Sequence, residues 1–156
     1  ERSALSATWF PPSERPGTRM LESVLLDTHV WLWLAGGERI APAARRRIEQ
    51  AASEDGLTLS PITLWEVGML SAKGRIAVQP DCMTWVTTAL AKTGARLLPM
   101  SAQIAVGSRF LPDGFHGDPA DRIIVASAIA SSATLITRDA QILAYARRGH
   151  FKAVLA

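Results

Sequence analysis

Four acidic residues stand out because of where they fall among the apolar segments of the chain. Asp27 directly follows a short apolar run, and Asp139 lies three residues after another. Glu66 and Asp121 each lie on a helical face that is otherwise apolar, formed by residues spaced three, four and seven apart. An isolated carboxylate on such a face is costly to ionise, so these positions predict a shared chemical role.

Several carboxylates brought together repel one another and raise one another's pKa values. A divalent cation removes that conflict. Because the set offers oxygen ligands without Cys or His, it favours Mg²⁺ or Mn²⁺ over Zn²⁺. Such an ion lowers the pKa of a bound water and stabilises the charge that develops when a phosphodiester is cleaved. The four acids therefore predict a metal site suited to that reaction.

Acidic residues at the start of a helix also have a structural explanation, because the helix dipole favours them there. Asp118, followed by Pro119, fits an N-cap better than a ligand. Asp139, taken alone, fits a cap for the helix that follows it. Glu66 and Asp121 have the weaker structural explanation, because their neighbours on the same face are apolar.

The charge balance is mildly basic and dominated by arginine. Lys plus Arg is 17 and Asp plus Glu is 14, a net charge of +3, and 14 of the 17 cations are Arg. The planar guanidinium suits phosphate oxygens, although a GC-rich coding sequence explains the arginine content equally well. With the four acids engaged by metal, 17 cations face ten remaining acids, a net of +7 that favours an anionic polymer as substrate.

Strand-like and helix-like segments alternate along the chain. The predicted strands are 23–26, 57–59, 95–98, 133–136 and, at the end, 152–155. The predicted helices are 28–35, 42–52, 61 to about 74, 81–92, 101–111, 118–131 and about 140–147. Strands separated by helices predict an α/β fold with a parallel sheet of about five strands and helices on both faces. The functional site of such a sheet lies beyond the carboxyl ends of its strands, where we expect the four acids to converge.

The length of 156 residues fits one domain. Residues 1–19, rich in Ser, Pro and Gly, predict an irregular N-terminal tail, and Met20 is a plausible natural start for a domain spanning 20–156. The single cysteine, Cys82, excludes an internal disulfide. No apolar run approaches the roughly 18 residues of a membrane span, and no secretory signal is visible, so we expect a cytoplasmic location.

Five segments resemble PIN-domain proteins, and specifically the VapC-type ribonuclease toxins of bacterial toxin–antitoxin pairs. In chain order they are LLDTHVWLW (25–33), SPITLWEV (60–67), KGRI (73–76), DPADRIIVA (118–126) and LITRD (135–139). The resemblance covers about residues 20–156. It departs from the family pattern at Leu70, where family members often have Lys.

The resemblance implies a three-layer α/β/α PIN-like fold and a Mg²⁺- or Mn²⁺-dependent endoribonuclease. Asp27, Glu66 and Asp121 then correspond to the core acids, and Asp139 to a fourth, more variable one. The resemblance also implies an RNA substrate, a homodimer, and a cognate antitoxin that holds the protein inactive.

Four further residues are expected near the acids. Thr28 and Thr137 are expected to orient water or a carboxylate through their hydroxyl groups. Arg122 and His116 are expected to border the site and contact RNA, although a surface salt bridge and an ordinary loop histidine explain them equally well.

Two other classes of protein were weighed against a nuclease. A non-catalytic PIN-like RNA-binding or scaffold protein would keep the fold without turnover, but such proteins tend to lose one of the acids. A serine or cysteine hydrolase is disfavoured because the chain has no G-x-S-x-G elbow, and a phosphate-binding glycine fingerprint is also absent. Four tryptophans at helical positions among aliphatic residues predict core packing rather than base stacking: Trp31, Trp33, Trp65 and Trp85.

Overall fold

The strands of the protein form one parallel sheet in the computed structural model, which describes residues 21–156. They are β1 (Val24–Leu26), β2 (Leu57–Leu59), β3 (Arg96–Leu97), β4 (Thr134–Thr137) and β5 (Lys152–Leu155). Their order across the sheet is β3-β2-β1-β4-β5, and all neighbouring pairs are parallel. This confirms the predicted five-stranded sheet. The predicted tail, residues 1–19, lies outside the described residues.

Helices cover both faces of this sheet. In the described part of the chain they are α1 (Thr28–Gly36), α2 (Pro42–Ser53), α3 (Pro61–Ala72), α4 (Cys82–Thr93), α5 (Ala102–Gly107), α6 (Pro119–Ser131) and α7 (Ala140–Ala146). Side chains alternate along a strand, so Val24 and Leu26 pack in one core cluster with α1–α4, whereas Leu25 packs in the other with α5–α7. The three-layer α/β/α fold is therefore confirmed.

Side-chain caps fix the starts of the helices that follow β1 and β2. Asp27 caps α1, and Ser60 caps α3 by accepting a hydrogen bond from the backbone N–H of Ile62. Pro61 follows as the first helical residue, where its missing N–H costs nothing. These short connections place the beginning of each helix next to the carboxyl end of its strand. None of the helices described by the structure is long and apolar enough to cross a membrane.

Two local predictions were wrong. The helix predicted over 101–111 ends at Gly107, because the chain turns there and buries Leu111 in the core cluster with α5–α7. Trp65 was predicted to be in the core but is 61% exposed. The buried residues of α3 are Thr63 and Val67, and Trp65 lies about 200° around the helix from each of them.

Candidate functional site

The acidic side chains belong to segments that meet at the carboxyl edge of the sheet. Asp27 follows β1, and Asp139 follows β4. Glu66 lies in the second turn of α3, the helix that leaves β2, and Asp121 lies in the first turn of α6. Because all strands are parallel, their carboxyl ends share one edge.

Asp27 is held in place by hydrogen bonds to both carboxylate oxygens. Oδ1 accepts from the backbone N–H of Thr28 at 2.8 Å, and Oδ2 accepts from the hydroxyl of Thr137 at 2.6 Å. The residue is only 8% exposed. Burial raises the pKa of Asp27 above its ordinary value, and the hydrogen bonds from Thr137 and Thr28 oppose that shift without overcoming it. The carboxylate is therefore oriented but strained by its own charge.

Thr28 connects Asp27 to Glu66. Its hydroxyl donates to Oε1 of Glu66 at 2.6 Å and lies 3.0 Å from the hydroxyl of Thr63. Since the Thr28 proton is used by Glu66, the Thr63 hydroxyl is the donor in the second contact. Burial is the main cause that raises the pKa of Glu66, and the charges of Asp27 and Asp118 raise it further. Thr28 thus fixes two of the predicted acids at once.

Asp121 has the largest pKa shift among these carboxyl groups. Burial, followed by the charges of four other carboxylates, raises its pKa from 3.8 to about 7. In decreasing order of effect these neighbours are Asp118, Asp27, Asp139 and Glu66. Each must lie near Asp121 to act on it, so the structure brings all four predicted acids into one electrostatic cluster.

Asp118 and Asp139 are helix caps as well as members of this acidic cluster. Oδ1 of Asp118 accepts from the backbone N–H of Asp121 at 2.9 Å, as the sequence predicted. Oδ1 of Asp139 accepts from the N–H groups of Gln141 and Ile142 at 2.8 and 3.0 Å. The sequence analysis treated Asp118 only as a cap and missed its charge in the site. Its place three residues before Asp121, on the same helical turn, is the pattern that indicates it.

The donor chemistry of the cluster fits a divalent cation. Within residues 21–156, no three His, Cys, Asp or Glu side chains are already arranged to hold an ion together. Mg²⁺ nevertheless keeps several waters and is usually bound through only one or two carboxylates. The crowding that raises the pKa of Asp121 is the conflict that a cation would relieve, and every group in the cluster is an oxygen ligand.

The remaining predicted residues lie in different surroundings. Arg122 donates from Nε to the carbonyl of Ser108 at 2.9 Å and from Nη1 to the carbonyl of Phe115, so it holds the segment between α5 and α6. His116 is exposed in that segment, and its charge is not among the main effects on the acids. His29, which the sequence analysis did not select, is exposed next to Asp27. After burial, which raises the pKa of Glu66 most, the charge of His29 acts to lower it.

The fold and the acidic edge define an α/β protein with a candidate metal-dependent site, and comparisons with known proteins specify its family. The profile of the PIN domain matches residues 24–148. The chain is 34% identical to Ribonuclease VapC22 of Mycobacterium tuberculosis (strain ATCC 25618 / H37Rv) over 123 residues, 78% of this chain and 91% of that protein. The chain therefore belongs to the PIN domain family.

A solved structure shares the fold at low sequence identity. The crystal structure of VapBC2 from Rickettsia felis, bound to a DNA fragment from their promoter, contains a chain that superposes with a TM-score of 0.62. The match covers 85% of this chain and 97% of the matched chain, at 17% identity. Because identity is this low, the match supports the architecture and nothing finer.

Proposed function

We propose that this protein is an endoribonuclease that uses Mg²⁺ or Mn²⁺ to hydrolyse RNA phosphodiester bonds, and that it is the toxin of a toxin–antitoxin pair. The observation behind the proposal is the position of Asp121, a half-buried carboxyl group surrounded by four other carboxylates. A protein gains no stability from such crowding without a cation. The similarity to Ribonuclease VapC22 supports RNA as the substrate.

The side chains divide the work between holding an ion and orienting its ligands. Asp27, Glu66, Asp121 and Asp139 would hold the ion, directly or through water. A bound divalent cation supplies an acidified water and neutralises charge on the phosphate. The hydroxyl groups of Thr28 and Thr137 keep Glu66 and Asp27 in fixed orientations, so little reorganisation is needed when the RNA binds.

The partner proteins follow from the family membership. We propose a cognate antitoxin that binds over the acidic edge, and a homodimer as the state of the free toxin. The similarity to a chain of the VapBC2 complex from Rickettsia felis supports the antitoxin. Co-purification with the protein encoded next to this chain, followed by measurement of the mass of each species, tests both proposals.

The direct test is incubation of the purified protein with total RNA and Mg²⁺ or Mn²⁺, beside an EDTA control, with the cut ends mapped by sequencing. We expect defined cut positions that vanish with EDTA and with Asp121→Asn. RNA that stays intact in both metals, while still binding to the protein, would favour the non-catalytic RNA-binding alternative and refute the nuclease.

A further inference from the structure

A groove with a volume of about 680 Å³ lies at the carboxyl edge of the sheet, beyond β4 and β5. It is lined by residues 39–42 at the entry to α2, by Arg138 after β4, and by Leu155 and Ala156 at the end of β5. Its volume is within the roughly 300–1,000 Å³ of typical ligand sites. The proposed catalytic residues do not line it, so it is a separate feature of the same edge.

The groove adjoins the acidic cluster through the backbone of β4. Leu155, on the groove, is paired in register with Thr137, whose hydroxyl donates to Asp27. Arg138 is the residue between Thr137 and the acidic Asp139. A chain-like ligand with one phosphate at the acids would therefore have its neighbouring nucleotides close to the groove.

Arg138 is fixed by three contacts before any ligand binds. Its Nε donates to the carbonyl of Ala156 at 3.0 Å, and its Nη2 donates to the carbonyl of Arg39 at 2.9 Å. Its guanidinium also stacks 4.1 Å from the ring centre of Trp33. These bonds use two of the five N–H donors of the side chain. The charge is thus held at the groove with donors left for an anion.

The chemistry of the lining matches a nucleotide. Two arginines stand beside apolar surface from Ile40, Pro42 and Leu155, and the described residues that line the groove include no Asp or Glu. Guanidinium groups bind phosphate oxygens, and an apolar surface accepts the face of a base or a ribose. We propose that this groove binds single-stranded RNA next to the phosphodiester that is cut, with Arg39 and Arg138 contacting its phosphates.

This inference rests on the proposed function for its substrate, but it can be tested without cleavage. The affinity for a fluorescein-labelled single-stranded RNA is measured by anisotropy in EDTA over a series of salt concentrations. The variant is Arg39→Ala, because the Arg39 side chain is exposed. The matched control is Arg96→Ala, an equally exposed arginine that begins β3 at the opposite edge of the sheet.

We expect Arg39→Ala to weaken RNA binding and to reduce the slope of log K against log salt by about one, the change for one lost phosphate contact. Arg96→Ala should keep the slope of the wild type. Equal slopes for Arg39→Ala and the wild type, or equal losses in both variants, would overturn the groove. A changed elution volume of Arg39→Ala with unchanged RNA affinity would assign the surface to a protein partner, and would also overturn it.

The two proposals fail in different ways. If the wild type leaves RNA intact with Mg²⁺ and Mn²⁺ but Arg39→Ala still lowers affinity and slope, the nuclease proposal fails and the groove stands. If the wild type cleaves RNA but Arg39→Ala binds it as the wild type does, the groove fails and the nuclease stands.

Discussion

The hydroxyl of Thr137 donates to Oδ2 of Asp27 across 2.6 Å, which joins two residues 110 positions apart in the chain. The same hydroxyl accepts from the backbone N–H of Asp139 at 3.0 Å. One buried threonine at the end of β4 therefore positions the acid at the end of β1 and the acid at the start of α7. The central strand pair of the sheet thus sets the distance between two of the proposed metal-binding groups.

Thr137→Val tests this relationship, because valine keeps the shape of threonine and its preference for strands but removes the hydroxyl. Asp27 would lose a buried hydrogen bond and the N–H of Asp139 would lose its acceptor. We expect the free energy of unfolding to fall by about 1–3 kcal/mol and metal affinity to weaken, both measured by thermal melts with and without Mg²⁺. Thr137→Ser, which keeps the hydroxyl, should stay close to the wild type. A valine variant as stable and as responsive to Mg²⁺ as the serine variant would show that the bond is unimportant.

Asp27→Asn and Asp121→Asn should each abolish RNA cleavage while leaving the fold intact. Both changes remove a negative charge from the cluster without altering side-chain size. Cleavage is measured with labelled RNA in Mg²⁺, and the fold by circular dichroism. Asp55→Asn is the control: Asp55 is exposed, has a φ of 57°, and lies in a backbone conformation that Asn tolerates. Full activity in either test variant would contradict the assignment of that residue.

Addition of Mg²⁺ or Mn²⁺ should raise the melting temperature of the wild type, because a ligand that binds only the folded state stabilises it. The shift should grow with metal concentration and be much smaller in Asp121→Asn. The measurement is a fluorescence melt over a metal titration, with Asp55→Asn expected to respond as the wild type does. An unchanged melting temperature at millimolar metal would count against a metal site in this cluster.

The stability of the metal-free protein should fall as pH rises from about 4 to 7. The pKa of Asp121 is raised, mainly by burial, from 3.8 to about 7, so the folded state holds a proton that the unfolded state releases at lower pH. Stability therefore decreases through this window as that proton is lost. In EDTA, Asp121→Asn should show a shallower decrease and be more stable than the wild type at pH 8. Parallel stability–pH curves for the two proteins, measured by urea unfolding, would disprove the shifted pKa.

Much of the fold could be predicted because its determinants are local. Apolar runs of three or four residues gave the strands, and Ser60-Pro61 and Asp118-Pro119 gave the helix starts. Prediction was less successful where the outcome depends on distant neighbours. Trp65 looked like a core residue, but the helices packed against α3 bury Thr63 and Val67 instead. The cap role of Asp118 was predicted, whereas its charge in the site depends on how α6 meets the carboxyl edge.

The sequence by itself determined the order of strands and helices, the parallel sheet and the identity of four acids at its carboxyl edge, because these follow from periodicity, capping and the geometry of parallel strands. Only the tertiary structure decided that Thr28 bonds Glu66, that Thr137 bonds Asp27 and that Arg138 stacks on Trp33. Each of these contacts joins segments far apart in the chain. Their geometry depends on how whole layers pack, and no local pattern of residues encodes it.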